Sequence, residues 1–376
     1  MNFDFTEAQK KRLDAIRSIA AAMPPETALI SATSEVARKA LGEVLDQLAA
    51  VGYLRLGLEE DALGGAVGLM AAMEILAGRA PGFFLSVEMS TRVLGRVLVH
   101  WGSGGEAHAW LKGLTRGEWL GALALSEESL NVENDALTTT GTRQGQDILL
   151  NGRKNYVING PLADRIGVVG RLDGRTAIFM LDRQARGLTL TERISTMGYG
   201  GVHIAGVALS DCRVPEACIL IPPEGTPVLD MLRAWENEIL LAAALGLMRA
   251  SFEEARDFAK SHRTGGKPII AYQEVGFKLS EMLTLYQTAQ LLAYRAVWTT
   301  ETDPKQGASL LWCAKVFGTE AAERVAGDAL RILAGQGYRS GSASETAYRA
   351  AKWTQIAGMS TEIARVRIGD HALGYR

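Results

Sequence analysis

The chain has 376 residues, of which 47% are hydrophobic and 22% are charged, an ordinary composition for a globular protein. Forty basic residues against 42 acidic ones give a net charge of -2, so no field of the whole protein attracts nucleic acid or anionic lipid. The N-terminus has no apolar run after its charges, and the longest apolar run, Ile239 to Met248, is far shorter than the roughly 20 residues that span a bilayer. We therefore expect a cytoplasmic protein without membrane insertion and without a nucleic-acid partner.

The first third of the chain is predicted to be helical. Thr6 and Gln9 have the spacing of a capping box, which indicates a helix start. Helical spacing of apolar residues then predicts helices over Glu35 to Ala50, Val67 to Ala77 and Ser90 to Trp101.

From about Leu120 the pattern changes to short runs rich in β-branched residues, which predict strands. These runs are Ile166 to Val169, Ala177 to Leu181 and Val202 to Leu209. Turn signals separate the strands, and they are Asn151-Gly152, Asn159-Gly160-Pro161 and Gly200-Gly201. Residues 118–222 are therefore predicted to form a β domain.

After Pro222 the helical pattern returns in four longer stretches with apolar stripes, which favour a helical bundle. The stretches are Met231 to His262, Ile270 to Thr299, Gln306 to Ala334, and Glu345 toward Ile368. The sequence thus predicts an α+β protein with an N-terminal helical domain (1–117), a middle β domain (118–222) and a C-terminal bundle (223–376).

Four segments, in this order along the chain, make the interpretation more specific. They are LNGRKNYVINGPLADRIGVVGR from Leu150, TMGYGGVHIAGVALSDCRVP from Thr196, GGKPIIAYQEVGFKLSEM from Gly265, and RILAGQGY followed by ETAYRAAKWTQI from Arg331. Together they resemble the acyl-CoA dehydrogenase superfamily across nearly the whole chain.

This resemblance implies three domains, the middle one a β-barrel or sandwich and the last a four-helix bundle. FAD is expected between those two domains, in a homotetramer or in a heteromer with a related subunit. It also implies a reaction in which a carboxylate takes the α-proton of an acyl thioester while the β-hydrogen leaves as hydride to the flavin. The acyl group is carried by coenzyme A or an acyl carrier protein, and an electron-transferring flavoprotein is the usual electron acceptor. The protein must then supply orientation, a base and polarisation of the thioester.

The chain departs from the family at the usual base. The family pattern there is an aromatic residue followed by Glu, Gly, Thr, a variable residue, Glu and Ile, and the matching glutamate position is Gly358. Glycine has no proton acceptor, and a positioned general base contributes roughly 10² to 10⁴ in rate. Ser360 stands at the threonine of the pattern and is predicted to contact the cofactor.

Some family members carry the base on the first long helix of the bundle, and the register there matches Glu236 to that position. Glu236 is therefore the candidate catalytic base. The alternative is a solvated carboxylate in a first helical turn, where acidic residues are favoured. Asn237 stands where the family usually has arginine.

The expected flavin-ring site is partly retained. The family loop of Thr or Ser, Glu, Pro and glycines is replaced by Ser126-Glu127-Glu128-Ser129-Leu130-Asn131-Val132-Glu133. Backbone amides near Leu125 and Ser126 are expected to meet the pyrimidine edge of the ring. Tyr156 replaces the usual tryptophan, and Ile158 stands where a hydroxyl near flavin N5 is usual.

A second group of residues is expected to serve the FAD of a neighbouring subunit. His262 matches the family's pyrophosphate arginine, with Arg263 one residue away and Thr264 retained. Gly335 and Gly337 keep the close approach that glycine permits. Arg331 replaces a glutamine, and its charge suits a diphosphate as well as a solvated helix surface. The histidines have no metal-ligand spacing, so we assign no metal.

Three functions fit this pattern. The first is a dehydrogenase of an acyl thioester with Glu236 as its base. The second is a non-catalytic subunit of a heteromeric acyl-CoA dehydrogenase complex, and the third is a flavoenzyme of related chemistry, such as desulfination or oxidation of a carrier-bound intermediate. Fold alone does not choose among them. The several departures at the flavin pocket favour the second more than Gly358 alone does, and we still favour a flavin oxidoreductase role, alone or within a complex.

Overall fold

The structure is a computed structural model that describes residues 4–25, 27–59, 65–128, 136–145 and 147–375. Helices occupy both ends of the chain and strands occupy its middle, which confirms the predicted α+β class and the order of its parts. The change from helix to strand falls between Thr115 and Gly121, and the return to helix falls between Leu220 and Val228. The domain limits themselves, 117/118 and 222/223, stay predictions.

The N-terminal helices are α1 (Glu7–Ala22), α2 (Thr27–Ile30), α3 (Ser34–Ala50), α4 (Gly65–Arg79), α5 (Pro81–Glu88), α6 (Gly95–Trp101) and α7 (Gly104–Thr115). The predicted capping box of α1 is present, because the Thr6 hydroxyl accepts a bond from the Gln9 amide and the Gln9 side chain accepts one from the Thr6 amide.

A π-helical segment, Met89–Leu94, joins α5 to α6 without a break. Such segments are rare and occur mostly inside α-helices. Buried Arg92 belongs to this segment, and its Nε lies 3.4 Å from Oε2 of Glu88. The same guanidinium donates hydrogen bonds to the carbonyl oxygens of Tyr53 and Leu54. These contacts tie the π-helical segment to the chain that follows α3.

The strands are β1 (Gly121–Ala124), β2 (Thr140–Gln144), β3 (Asp147–Ile158), β4 (Arg165–Leu172), β5 (Arg175–Asp182), β6 (Leu188–Leu190), β7 (Ile204–Pro215), β8 (Ile219–Leu220), β9 (Arg263–Thr264) and β10 (Lys267–Pro268). The first eight form one sheet in the order β6-β7-β3-β2-β4-β5-β8, with β1 parallel to β4. The long pair β3 and β7 is antiparallel.

The predicted turn at Asn151-Gly152 is wrong, because both residues lie inside β3. The pairing of β3 with β7 shifts its register between Leu150 and Gly152, which is a β-bulge. A Cβ atom on Gly152 would lie 2.5 Å from the Thr139 hydroxyl oxygen. Glycine is therefore here for a close approach and not for a chain reversal.

The C-terminal helices are α8 (Val228–Ser261), α9 (Gln273–Thr302), α10 (Pro304–Leu333), α11 (Ala343–Ile356) and α12 (Thr361–Leu373). The last predicted helix, Glu345 toward Ile368, is in fact two helices. Ala357 is extended at the end of α11, Gly358 has a φ of 66°, and the Ser360 hydroxyl caps α12. The break turns the chain between α11 and α12 toward α8.

Buried hydrophobic side chains of the helices form one core together with some of the strand residues. A second hydrophobic cluster consists almost entirely of residues from β1, β3, β4, β5 and β7. In the described part of the chain, no helix has the length and apolar character needed to cross a membrane.

Candidate active site

A cavity of about 410 Å³ lies where the sheet, α8 and the turn between α11 and α12 meet. It brings together Gly358 and six of the residues predicted for the site: Leu125, Ser126, Tyr156, Ile158, Glu236 and Ser360. Further walls come from Met89 and Val93 of the π-helical segment, from Leu232 and Arg233 of α8, and from Trp353 of α11. Residues separated by more than 200 positions in sequence thus share one concave site.

Tyr156 occupies the cavity wall because of an irregular backbone. The register between β3 and β7 shifts a second time between Lys154 and Val157, and Tyr156 has a φ of 53°. A bulky residue with positive φ is strained, and bulges next to active sites commonly redirect a side chain. Tyr156 is 46% exposed, whereas nearby Ile158 is buried at 5%. The bulge therefore presents an aromatic ring to the cavity.

The backbone at Leu125 and Ser126 is held in place by a buried ion pair. Lys154 Nζ lies 2.7 Å from Oε1 of Glu127 and donates a second bond, 2.9 Å, to the Leu125 carbonyl. The Asn155 amide donates to the Ser126 carbonyl at 2.8 Å. Burial raises the pKa of Glu127, but bonds from Lys154 and from Thr138 outweigh burial and lower it to about 2. The remainder of this loop that the sequence singled out, residues 129–133, lies outside the described residues.

Glu236 lies on α8 directly beside the turn that carries Gly358. A Cβ atom on Gly358 would lie 3.4 Å from Glu236 Cγ and 2.7 Å from Asn237 Oδ1. Burial raises the pKa of Glu236, and the charges of Lys315 and Arg233 and the Gly358 amide oppose this rise. The usual base position and the alternative one therefore adjoin the same space, and among the described residues that line it only Glu236 offers a carboxylate.

Two charged residues at this site were missed from the sequence. Arg233 is buried, lines the cavity and is one turn from Glu236 on α8. Lys315 is buried on α10 and does not line the cavity. Its only sequence signal is a lysine among apolar residues at helical spacing, Leu311 and Ala314 before it and Ala322 after it.

Ser360 lines the cavity but its hydroxyl also has a structural task. Its Oγ accepts a bond from the Ile363 amide at 3.4 Å, which caps α12. Trp353, on the same wall, has a buried indole nitrogen with no hydrogen-bond partner among the described residues.

The five residues expected to serve a neighbouring subunit lie elsewhere: Arg263, Thr264, Arg331, Gly335 and Gly337 are not part of the cavity wall. Four of them are exposed, and Gly337 is buried beside its own helix end, where an added Cβ atom would lie 2.8 Å from Leu333 Cβ. Arg263 donates to the Gly266 carbonyl at 2.9 Å, within the turn of the β9–β10 hairpin. Arg331 pairs with Asp328 on the surface of α10 and is 72% exposed.

Comparison with known proteins gives the family. The model of the acyl-CoA dehydrogenase middle domain matches residues 122–212, and that of the acyl-CoA dehydrogenase C-terminal domain matches residues 233–373. The human mitochondrial short-chain specific acyl-CoA dehydrogenase is 30% identical over 87% of this chain and 81% of its own length. Benzylmalonyl-CoA dehydrogenase of Aromatoleum aromaticum is 28% identical over 98% of each chain. Butyryl-CoA dehydrogenase of Megasphaera elsdenii superimposes with a TM-score of 0.86, at 25% identity, over 99% of this chain and 100% of the other.

The chain therefore belongs to the acyl-CoA dehydrogenase family. It is an acyl-CoA dehydrogenase-like oxidoreductase whose cofactor is FAD. The relatives do not favour the non-catalytic subunit or the flavoenzyme of related chemistry that the sequence left open.

Proposed function

We propose that this chain is catalytic and dehydrogenates an acyl thioester, with Glu236 as the base that takes the α-proton. The observation that carries the proposal is the position of Glu236 on the wall of the cavity, against the backbone of Gly358. FAD, when bound, supplies the acceptor for the β-hydride. The carrier of the thioester is coenzyme A or an acyl carrier protein.

The environment of Glu236 suits a general base. Burial raises its pKa above the ordinary value, and a base is most effective when its pKa approaches the working pH. The positive charges of Lys315 and Arg233 oppose this rise in pKa and so favour the ionised form of Glu236, which is the form that accepts a proton. The apolar part of the wall, which includes Val93, Leu232 and Met359, excludes water from an acyl chain beside the carboxylate.

The cavity has features that fit the flavin ring of FAD. Leu125 and Ser126 offer backbone groups at its edge, and Tyr156 offers a partly exposed aromatic face. Ile158 supplies packing only, so a hydrogen bond from a hydroxyl at that position is lost. We also assign Ser360 to the residues that contact the flavin, because it lies on the cavity wall.

We further propose that Arg263, Thr264, Arg331, Gly335 and Gly337 hold the diphosphate and adenine of a FAD bound mainly by another chain. Two observations support this assignment. All five residues lie outside the cavity, and all but Gly337 are exposed. Arg263 and Arg331 also supply two guanidinium groups, which suit a diphosphate. The assembly is then a homotetramer or a heteromer with a related subunit. An electron-transferring flavoprotein is the expected electron acceptor.

The test is Glu236→Gln in the FAD-loaded protein, with anaerobic flavin bleaching followed by stopped flow. Butyryl-CoA, isovaleryl-CoA and glutaryl-CoA serve as probes, and the fastest with the wild type is used. We expect reduction to slow by roughly 10² or more while FAD content stays the same. Glu238→Gln is the matched control, since Glu238 lies two residues away and pairs with Arg96 at 2.7 Å. Unchanged reduction in Glu236→Gln would remove Glu236 from the mechanism.

A further inference from the structure

A buried lysine lies behind the proposed base. Lys315 of α10 is 0% exposed, and its Nζ donates to the Ala357 carbonyl at 2.9 Å and to Asn237 Oδ1 at 3.2 Å. Both acceptors are neutral. An ammonium group buried with neutral partners alone costs several kcal/mol, so buried lysines are normally accompanied by an opposite charge.

Glu236 provides that opposite charge. It precedes Asn237 on α8, and its charge raises the pKa of Lys315, although burial outweighs this effect and lowers the pKa to about 7. The influence is mutual, since the charge of Lys315 lowers the pKa of Glu236. Arg233, on the same helix as Glu236, is the other cation that acts on this carboxylate.

The same lysine also fixes the backbone around the base. Asn237 Oδ1 accepts a bond from Lys315 Nζ and a second bond, 3.1 Å, from the Met359 amide. Ala357 and Met359 flank Gly358, whose amide in turn favours the charged form of Glu236. One ammonium group therefore connects α10 to α8 and to the turn between α11 and α12.

We propose that Lys315 is a positioning residue for Glu236: from behind the cavity wall, its bonds to Asn237 and to the Ala357 carbonyl hold the Ala357–Met359 turn against the base. The proposal rests on the proposed function, in which Glu236 takes the α-proton. Lys315 does not line the cavity and is not itself expected to touch the substrate.

A direction for the pH dependence follows. Removal of the Lys315 charge leaves Arg233 as the one cation among the described residues that still lowers the pKa of Glu236, so that pKa rises. The base works only when deprotonated, and therefore the pH at which flavin reduction becomes fast must rise as well. An opposite charge at close range typically shifts a carboxyl pKa by about 1 to 3 units.

The experiment compares Lys315→Met with Thr319→Val in the FAD-loaded protein. Thr319 is buried one turn further along α10, and its hydroxyl donates to the Lys315 carbonyl at 2.7 Å, so it controls for a general disturbance of this helix. Anaerobic flavin reduction by the probe thioester is measured from pH 5 to pH 9. The acid limb of this profile is the pH range in which the rate of reduction rises as the base loses its proton. For Lys315→Met we expect the acid limb to move to higher pH by about 1 unit or more. Thr319→Val should leave the limb in place, and an unmoved limb in Lys315→Met overturns the proposal.

A double-mutant cycle gives a readout that does not need turnover. Thermal midpoints are measured for the wild type, Glu236→Gln, Lys315→Met and the double variant. We expect Lys315→Met to lower the midpoint much less in the Glu236→Gln background, because no buried carboxylate is then left without its cation. If Lys315→Met alone fails to fold, the double variant should fold. Equal losses in both backgrounds, or failure of both to fold, would show that Lys315 acts independently of Glu236.

The two proposals fail in different ways. Unchanged flavin reduction in Glu236→Gln contradicts the proposed function. A normal effect of Glu236→Gln together with an unmoved pH limb in Lys315→Met contradicts only the role of Lys315.

Discussion

Substitution of Gly358 by alanine tests the geometry of the turn beside Glu236. Gly358 has a φ of 66°, and a non-glycine residue in this left-handed region costs about 1–2 kcal/mol. A Cβ atom would also lie 2.7 Å from Asn237 Oδ1, which cannot move freely because it accepts bonds from Lys315 and Met359. Overpacking of a buried contact adds about 1–3 kcal/mol. We therefore expect Gly358→Ala to lower the free energy of unfolding by about 2–5 kcal/mol.

The matched control is Gly225→Ala. Gly225 has a φ of 78°, and apart from its two chain neighbours no described residue has an atom within 4 Å of its Cβ position, so its substitution carries the cost of the backbone conformation alone. Urea unfolding of both FAD-loaded variants separates the two contributions, and Gly358→Ala should be the less stable by about 1–3 kcal/mol. Equal stability of the two variants would refute the close contact with Asn237. The same contact predicts that Gly358→Glu does not restore activity to Glu236→Gln.

Three further predictions concern the cofactor, the assembly and pH. The purified protein should release FAD and not FMN on denaturation, as chromatography of the extracted flavin will show; recovery of FMN alone would contradict the diphosphate and adenine residues proposed above. Light scattering should give an oligomer, and a monomer that holds one FAD per chain would argue against a site shared between chains. Glu127 has a pKa of about 2 in the folded protein against an ordinary 4.5, so the stability it contributes is complete above pH 4.5 and is lost as the pH falls through 2. Glu127→Gln should therefore be less stable than the wild type at neutral pH, with a gap that narrows toward pH 2; a gap independent of pH would contradict this.

The position of Glu236 could be predicted because small residues fix the register of α8. Gly246 packs against α4 so closely that a Cβ atom there would lie 2.4 Å from the Gly78 amide nitrogen. Such a contact permits no other residue, and the spacing from Gly246 back to Glu236 follows from helix geometry. The order of helical, β and helical parts could also be predicted, because helices and strands differ in the local spacing of their apolar residues.

The surroundings of Glu236 could not be predicted in this way. Lys315 lies 79 positions after Glu236, and no local pattern connects two charges that influence each other only when α8 packs against α10. The Asn151-Gly152 pair has the composition of a hairpin turn, but its partner strand made it a bulge. The break between α11 and α12 escaped the helical pattern because apolar residues continue across it, although the extended backbone of Ala357 ends α11 and Gly358 turns the chain.

The π-helical segment Met89–Leu94 bears on how relatives of this chain should be aligned. A π turn holds about one residue more than an α turn, so the segment amounts to a one-residue insertion within a helix that remains continuous. Deletion of one residue there would restore α geometry and leave the following side chains of α6 facing as before, because the wider turn absorbs the extra residue. Arg96 would therefore still face Glu238 of α8, with which it pairs. A relative without the insertion should accordingly be aligned with a one-residue gap within Met89–Leu94, and not with a shift of α6.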